Sequence, residues 1–127
     1  MAVTLPQRAT VVATPNFAAG LDEARAFFAE QDEASAMERF RALRAELREM
    51  VETLRWAPAG GRPARFLGGR SVQARIRARK VEALAHEVGL PHLREYVLKQ
   101  HVVLYAHSSD RVVLLALRHH RQLSYVV

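Results

Sequence analysis

Near the end of the chain an apolar run passes into Arg118, His119, His120 and Arg121, with Tyr125 four residues further on. Imidazoles beside guanidiniums suit acid-base work on a phosphodiester. Attack of a ribose 2′-oxygen on phosphorus needs a base for the hydroxyl, cations for the pentavalent phosphate and an acid for the leaving oxygen. His119 or His120 would supply base or acid, Arg94, Arg118 and Arg121 would hold phosphate, and Tyr105 or Tyr125 would stack or donate. If the strand stays regular past Leu117, alternation sends His119 and Arg121 to one face and His120 to the other. Neighbouring arginines favour the neutral imidazole, which suits a base better than an acid. The plainer reading is that His119 and His120 are hydrogen-bonding surface residues, that Arg94 and Arg121 pair with Glu95 or Asp110, and that Tyr105 and Tyr125 are half-buried sheet residues.

The elements that would position these groups follow from hydrophobic periodicity. Thr10 to Ala13 reads as a strand, ended by Thr14-Pro15-Asn16. Phe17, Leu21, Ala24, Phe27 and Phe28 recur at helical steps, predicting a helix over Ala18 to Glu30 with Asn16 as N-cap. Asp32 is placed to cap a second helix, Glu33 to Arg55, whose stripe of Met37, Phe40, Leu43, Leu47, Met50 and Leu54 is the strongest periodic pattern in the chain. These two helices are expected to form an antiparallel hairpin. Ala57 to Pro63 reads as loop. A third helix, capped by Ser71, is expected to Val88, with Val72, Ile76, Val81, Leu84, Ala85 and Val88 at roughly helical spacing and too many cations to bury more than a narrow seam. Gly89-Leu90-Pro91 ends it.

From Leu93 the period changes to that of strands: Leu93 to Lys99, His101 to His107 and Arg111 to Ser124, with Ser108-Ser109-Asp110 as a hairpin turn. Val112 to Leu117 is apolar on both faces, so the last strand is expected inside the sheet. The expected fold is α+β: an N-terminal strand, a helical hairpin, an inserted helix, then a three-strand antiparallel meander with the helices on one sheet face.

Composition bounds the function. The chain of 127 residues is expected to be one domain with a basic helix inserted at about 71–88. It has no cysteine, which removes thiolate zinc sites. His86, His92, His101 and His107 lack metal-ligand spacing with acids, so neither metal nor cofactor is expected. The first eight residues are too short and polar for a secretory signal, and no apolar run approaches the roughly 18 residues of a membrane span, which predicts a soluble cytoplasmic protein with no membrane partner. Net charge is +6, and 17 of the 19 cations are arginine. Arg55, Arg62, Arg65, Arg70, Arg75, Arg77, Arg79 and Lys80 follow one another without an acid. That run points to an anionic partner, nucleic acid or an acidic protein segment, against the blander reading of a solvated face.

The order of elements and the C-terminal segments resemble the RelE/ParE superfamily, the toxins of type II toxin-antitoxin modules. The resemblance runs from Val11 to Asp22 into the helical hairpin ending at Trp56, and resumes with Leu93 to Val97, His101 to Tyr105 and Arg111 to Arg121. Arg94, Tyr105, His119 and Arg121 match the arginine that opens the second strand of that fold and the histidine-arginine ending. The segment from about Phe66 to Gly89 exceeds the short link usual in the superfamily. The resemblance implies a toxin neutralised by a cognate antitoxin, whose acidic segment folds on binding. ParE-like members poison DNA gyrase, and RelE-like members cut messenger RNA on the ribosome. The ending is closer to the ParE branch, which makes Arg62, Arg118, His120, Tyr105 and Tyr125 expected recognition groups. His119, Arg121 and Arg94 become catalytic only if the chain is a ribonuclease. A non-toxic basic nucleic-acid-binding module is the third reading.

Overall fold

A computed structural model describes residues 8–64, 72–122 and Tyr125, except the side chains of Ala74 and Arg77. Strand β1 (Thr10–Ala13) is followed by helices α1 (Pro15–Gln31) and α2 (Glu33–Trp56), a two-residue strand β2 (Arg62–Pro63), helix α3 (Val72–Glu87), and strands β3 (His92–Val97), β4 (His101–His107) and β5 (Arg111–His119). The sheet is mixed, in the order β1-β5-β4-β3-β2, with β1 parallel to β5 and the other pairs antiparallel. The meander is therefore correct but incomplete. The sheet has five strands, because Arg62 and Pro63, expected to be loop, add to β3 opposite Glu95 and Arg94.

The helices cover both faces of the sheet, not one. Phe17 and Phe28 of α1 and Leu43, Leu47, Met50 and Leu54 of α2 pack with Val103, Tyr105, Val112 and Leu114. On the other face Ala64, Val81, Ala85, Leu90 and Tyr125 pack with Val102, Leu104, Ala106, Val113 and Leu115. Strands β4 and β5 are apolar in both phases, so each face needs a cover to keep that surface from water. The inserted helix α3 supplies the second cover. Its own buried seam is narrow, formed by Ala78, Val81 and Ala85, while Val72 and Ile76 are exposed, contrary to their expected place on the apolar stripe. Met37, at the start of the α2 stripe, is also exposed.

Capping decides how α1 meets the sheet. Thr14, not Asn16, is the N-cap: its hydroxyl accepts from the Phe17 amide at 3.1 Å and donates to the Leu114 carbonyl at 2.9 Å. Asn16 instead donates its side-chain amide to the Leu115 carbonyl at 2.8 Å. Asp32 caps α2 as its position predicts, accepting from the Ala34 amide. Ser71, expected to cap α3, lies outside the described residues.

Strand β5 carries the feature that the site depends on. Leu104 pairs with Ala116 and Tyr105 with Leu114, so Leu115 is an extra residue in a β-bulge. Its carbonyl is the one that Asn16 and Thr14 satisfy. The extra residue reverses the phase of everything after it. Leu117 packs on the hairpin side with Val112 and Leu114, although odd and even positions of a regular strand face opposite ways. β5 ends at His119, five residues before the expected Ser124, and His120 and Arg121 form a turn closed by the Gln122 amide on the His119 carbonyl at 2.9 Å.

Candidate functional site

The bulge turns His119 toward the α1-α2 hairpin and Arg118 toward the α3 face. Beside His119, between the end of β5 and α1, lies a cleft of about 380 Å³ with walls that include Ala24, Phe27, His101, Leu117, His119 and Arg121. The His119 ring sits 6.1 Å from Phe27 and 5.1 Å, edge to face, from His101, which itself meets Phe28 edge to face at 6.0 Å. Three aromatic rings therefore shape one side of the cleft, and the exposed Arg121 brings a cation to it.

Hydrogen bonds define the protonation state. The Arg121 amide donates to His119 Nδ1 at 3.1 Å, so Nδ1 holds the lone pair and a neutral His119 carries its proton on Nε2. Burial, then the charges of Arg121, His120 and Arg39, hold the His119 pKa below the ordinary histidine value. Burial and the same cluster push His101 down to about 4. Both rings are neutral near pH 7. His119 then offers the cleft an N–H and an aromatic edge. A general base would need that Nε2 lone pair, and a general acid would need the imidazolium that burial suppresses.

Arg94 stands elsewhere. It pairs across the sheet with Tyr105, whereas His119 pairs with His101, four residues further back along β4. At about 3.3 Å per residue the two levels are roughly 13 Å apart. Arg94 is also engaged: Nε donates to His107 Nε2 at 3.1 Å and one terminal nitrogen donates to the Gly61 carbonyl at 3.1 Å. His107 in turn places Nδ1 3.0 Å from the Ser108 carbonyl, which assigns its proton to Nδ1. Tyr105 is fully buried and clamps the segment after α2, donating to the Pro58 carbonyl and accepting from the Gly61 amide, both at 2.8 Å. The three groups His119, Arg121 and Arg94 are thus split, with only the first two at the cleft.

On the α3 face, Glu95 is 1% exposed and gathers three of the expected recognition groups. Arg62 lies 3.4 Å from one carboxylate oxygen, Arg118 lies 3.8 Å from the other, and the Tyr125 hydroxyl donates to that second oxygen. The Arg118 guanidinium also stands over the Tyr125 ring and donates to the Gln122 carbonyl at 2.8 Å. Burial and the Glu95 carboxylate push the Tyr125 hydroxyl pKa upward, so it remains a donor. A buried charge demands such partners, because leaving it unpaired costs several kcal/mol. His120 is exposed but its ring is engaged. Its Nε2 lies 3.0 Å from the Leu98 carbonyl and 3.2 Å from that of His101, holding the turn between β3 and β4.

Among the described residues the long cationic run does not form one surface. Arg55 pairs with Glu52 at the end of α2, Arg62 turns to Glu95, and Arg75, Arg79 and Lys80 lie on α3 over the opposite sheet face. Arg65 and Arg70 lie outside the described residues, as does the Arg77 side chain. Among the described residues no group of three histidines or acids could hold a metal ion, and no helix is long and apolar enough to cross a membrane.

The sequence reading missed His101 and Leu115, and gave Glu95 the wrong partners: it holds Arg62 and Arg118, while Arg94 is bound to His107 and Gly61. Glu95 stood in phase with Leu93 and Val97 in β3, and an acid on an apolar phase is the mark of a buried, partnered carboxylate. His101 stood in phase with Val103 and Tyr105. A family model described as the ParE toxin of the type II toxin-antitoxin system parDE matches residues 11–124. No curated protein gives a significant match.

Proposed function

The chain belongs to the ParE toxin family of type II toxin-antitoxin systems, and on that premise we propose that it inhibits DNA gyrase by protein contact and is neutralised by its cognate antitoxin. An antitoxin partner is implied by the family itself. The cleft beside His119 and Arg121 supports contact over hydrolysis. It offers an apolar wall, a neutral ring bearing an N–H and an exposed guanidinium, a set suited to an apolar side chain with a nearby carboxylate on a protein target.

One observation carries the choice over a RelE-like messenger RNA endonuclease. His119 Nδ1 is occupied by the Arg121 amide, and Arg94, which would hold the phosphate, is bound to His107 and Gly61 at another level of the sheet. Fold does not decide activity, so this arrangement of groups must. The reading as a non-toxic nucleic-acid module loses its motive where the cationic run divides between α2, Glu95 and α3.

Induction of the chain in cells without its antitoxin tests the proposal. Thymidine incorporation should fall before methionine incorporation. Translation stopping first would favour the endonuclease, and unimpaired growth would remove toxicity.

A further inference from the structure

Helix α3 has two opposed faces, and only one packs on the sheet. Nine residues separate Val72 from the buried Val81, which at 3.6 residues per turn places them on opposite sides of the helix. Val72 is 68% exposed and Ile76, one turn on, is 48% exposed. Arg75, Arg79 and Lys80 are exposed around this pair, and the first acid of the helix is Glu82. The first half of α3 therefore turns two β-branched apolar side chains outward inside a ring of cations.

We infer that this outer face of α3 is a docking surface for the antitoxin, taking an acidic segment that anchors one or two apolar side chains on Val72 and Ile76. This rests on the assignment of the chain to a toxin-antitoxin pair. Charge selects the occupant: Arg75, Arg79 and Lys80 outnumber Glu82, the acid one turn on from Arg79, and this excess attracts a carboxylate-rich segment and repels a basic one. The apolar centre selects protein over nucleic acid, since a phosphate backbone would leave Val72 and Ile76 without a partner. Because α3 covers the face opposite the helical hairpin, a segment bound there holds the toxin without entering the cleft at His119. Toxin inhibition and antitoxin affinity would then be separable at this helix.

The test uses the full chain and its full-length antitoxin in calorimetry, with the triple variant Arg75→Glu, Arg79→Glu, Lys80→Glu and the double variant Val72→Ser, Ile76→Ser. All five side chains are exposed, so folding should persist, and circular dichroism checks it. Exposed ion pairs are individually weak, so the triple variant should weaken Kd by about tenfold or more, with a shallower salt dependence. The double variant should weaken it by several-fold. Supercoiling inhibition by both variants should equal that of the unaltered chain. Unchanged Kd in both variants would overturn the inference, as would loss of supercoiling inhibition with Kd unchanged, which would give the face to the target. Loss of retention on duplex DNA with Kd unchanged would give it to nucleic acid and also overturn it. If the unaltered chain fails to inhibit gyrase, the Kd measurements still decide this inference.

Discussion

The backbone amide of Arg121 donates to Nδ1 of His119 at 3.1 Å, so the two residues that a ribonuclease would use for base and phosphate contact are bound to each other through the main chain. This bond selects the His119 tautomer, and the turn that makes it exists because β5 stops at His119.

The tautomer is directly measurable. Long-range ¹H–¹⁵N correlation at pH 7 should show His119 with a protonated Nε2 and an unprotonated Nδ1, converting to imidazolium only below the ordinary histidine range. A proton on Nδ1 at pH 7 would restore a free Nε2 lone pair and reopen the general-base role.

His101 predicts an acid-sensitive fold. Its folded pKa of about 4 lies below the ordinary 6.5, so between these values the unfolded chain binds more protons than the folded one. The His101 contribution to stability should therefore fall as pH drops from 6.5 toward 4, and level off below. The loss should be about 2 kcal/mol after allowance for solvent screening. Urea midpoints across this window should show a flatter curve for His101→Gln than for the parent chain. Parallel curves would contradict the assignment.

Tyr105 and Gly61 predict a stability effect far from the cleft. Tyr105→Phe leaves the Gly61 amide and Pro58 carbonyl unmatched and should cost about 1–3 kcal/mol. Gly61→Ala should cost at least as much. Its Cβ would lie 2.5 Å from the Glu95 carbonyl oxygen, a backbone atom that cannot swing aside, and 2.8 Å from the Tyr105 hydroxyl. Denaturant titration reads both, and an unchanged midpoint for either would contradict the clamp.

Glu95 should behave as the centre of a buried ionic group. Glu95→Ala strands the Arg62 and Arg118 guanidiniums and should cost about 3–5 kcal/mol, whereas Tyr125→Phe removes the hydroxyl that donates to Glu95 and should cost about 1–2 kcal/mol. A double-mutant cycle between Glu95→Ala and Arg118→Ala should show strong coupling; additive effects would contradict a shared network.

These residues also show where sequence reasoning reached and where it stopped. Strand β1, the α2 stripe from Leu43 to Leu54, the Asp32 cap and the strand His101–His107 were legible, because period and capping chemistry are local. The bulge at Leu115 was hidden: Val112 to Ala116 are all buried and apolar, so a slip of phase leaves no trace in the pattern. That slip sends His119 to the hairpin face and Arg118 to the α3 face, the reverse of what an unbroken strand would do. Strand β2 was hidden because two residues carry no period, and the buried Glu95 supplies the attraction that brings Arg62 to β3. Both faces of α3 carry β-branched residues, so spacing could not tell Val72 and Ile76 from the core seam.

Contact between the His119 cleft and gyrase is tested most directly by a supercoiling assay with the purified enzyme, comparing the chain with its Arg121→Glu variant. The unaltered chain should abolish supercoiling in a dose-dependent way. The variant should inhibit at least tenfold more weakly, since Arg121 supplies the exposed cation of the cleft. Full supercoiling at a large excess of the unaltered chain would contradict gyrase as the target.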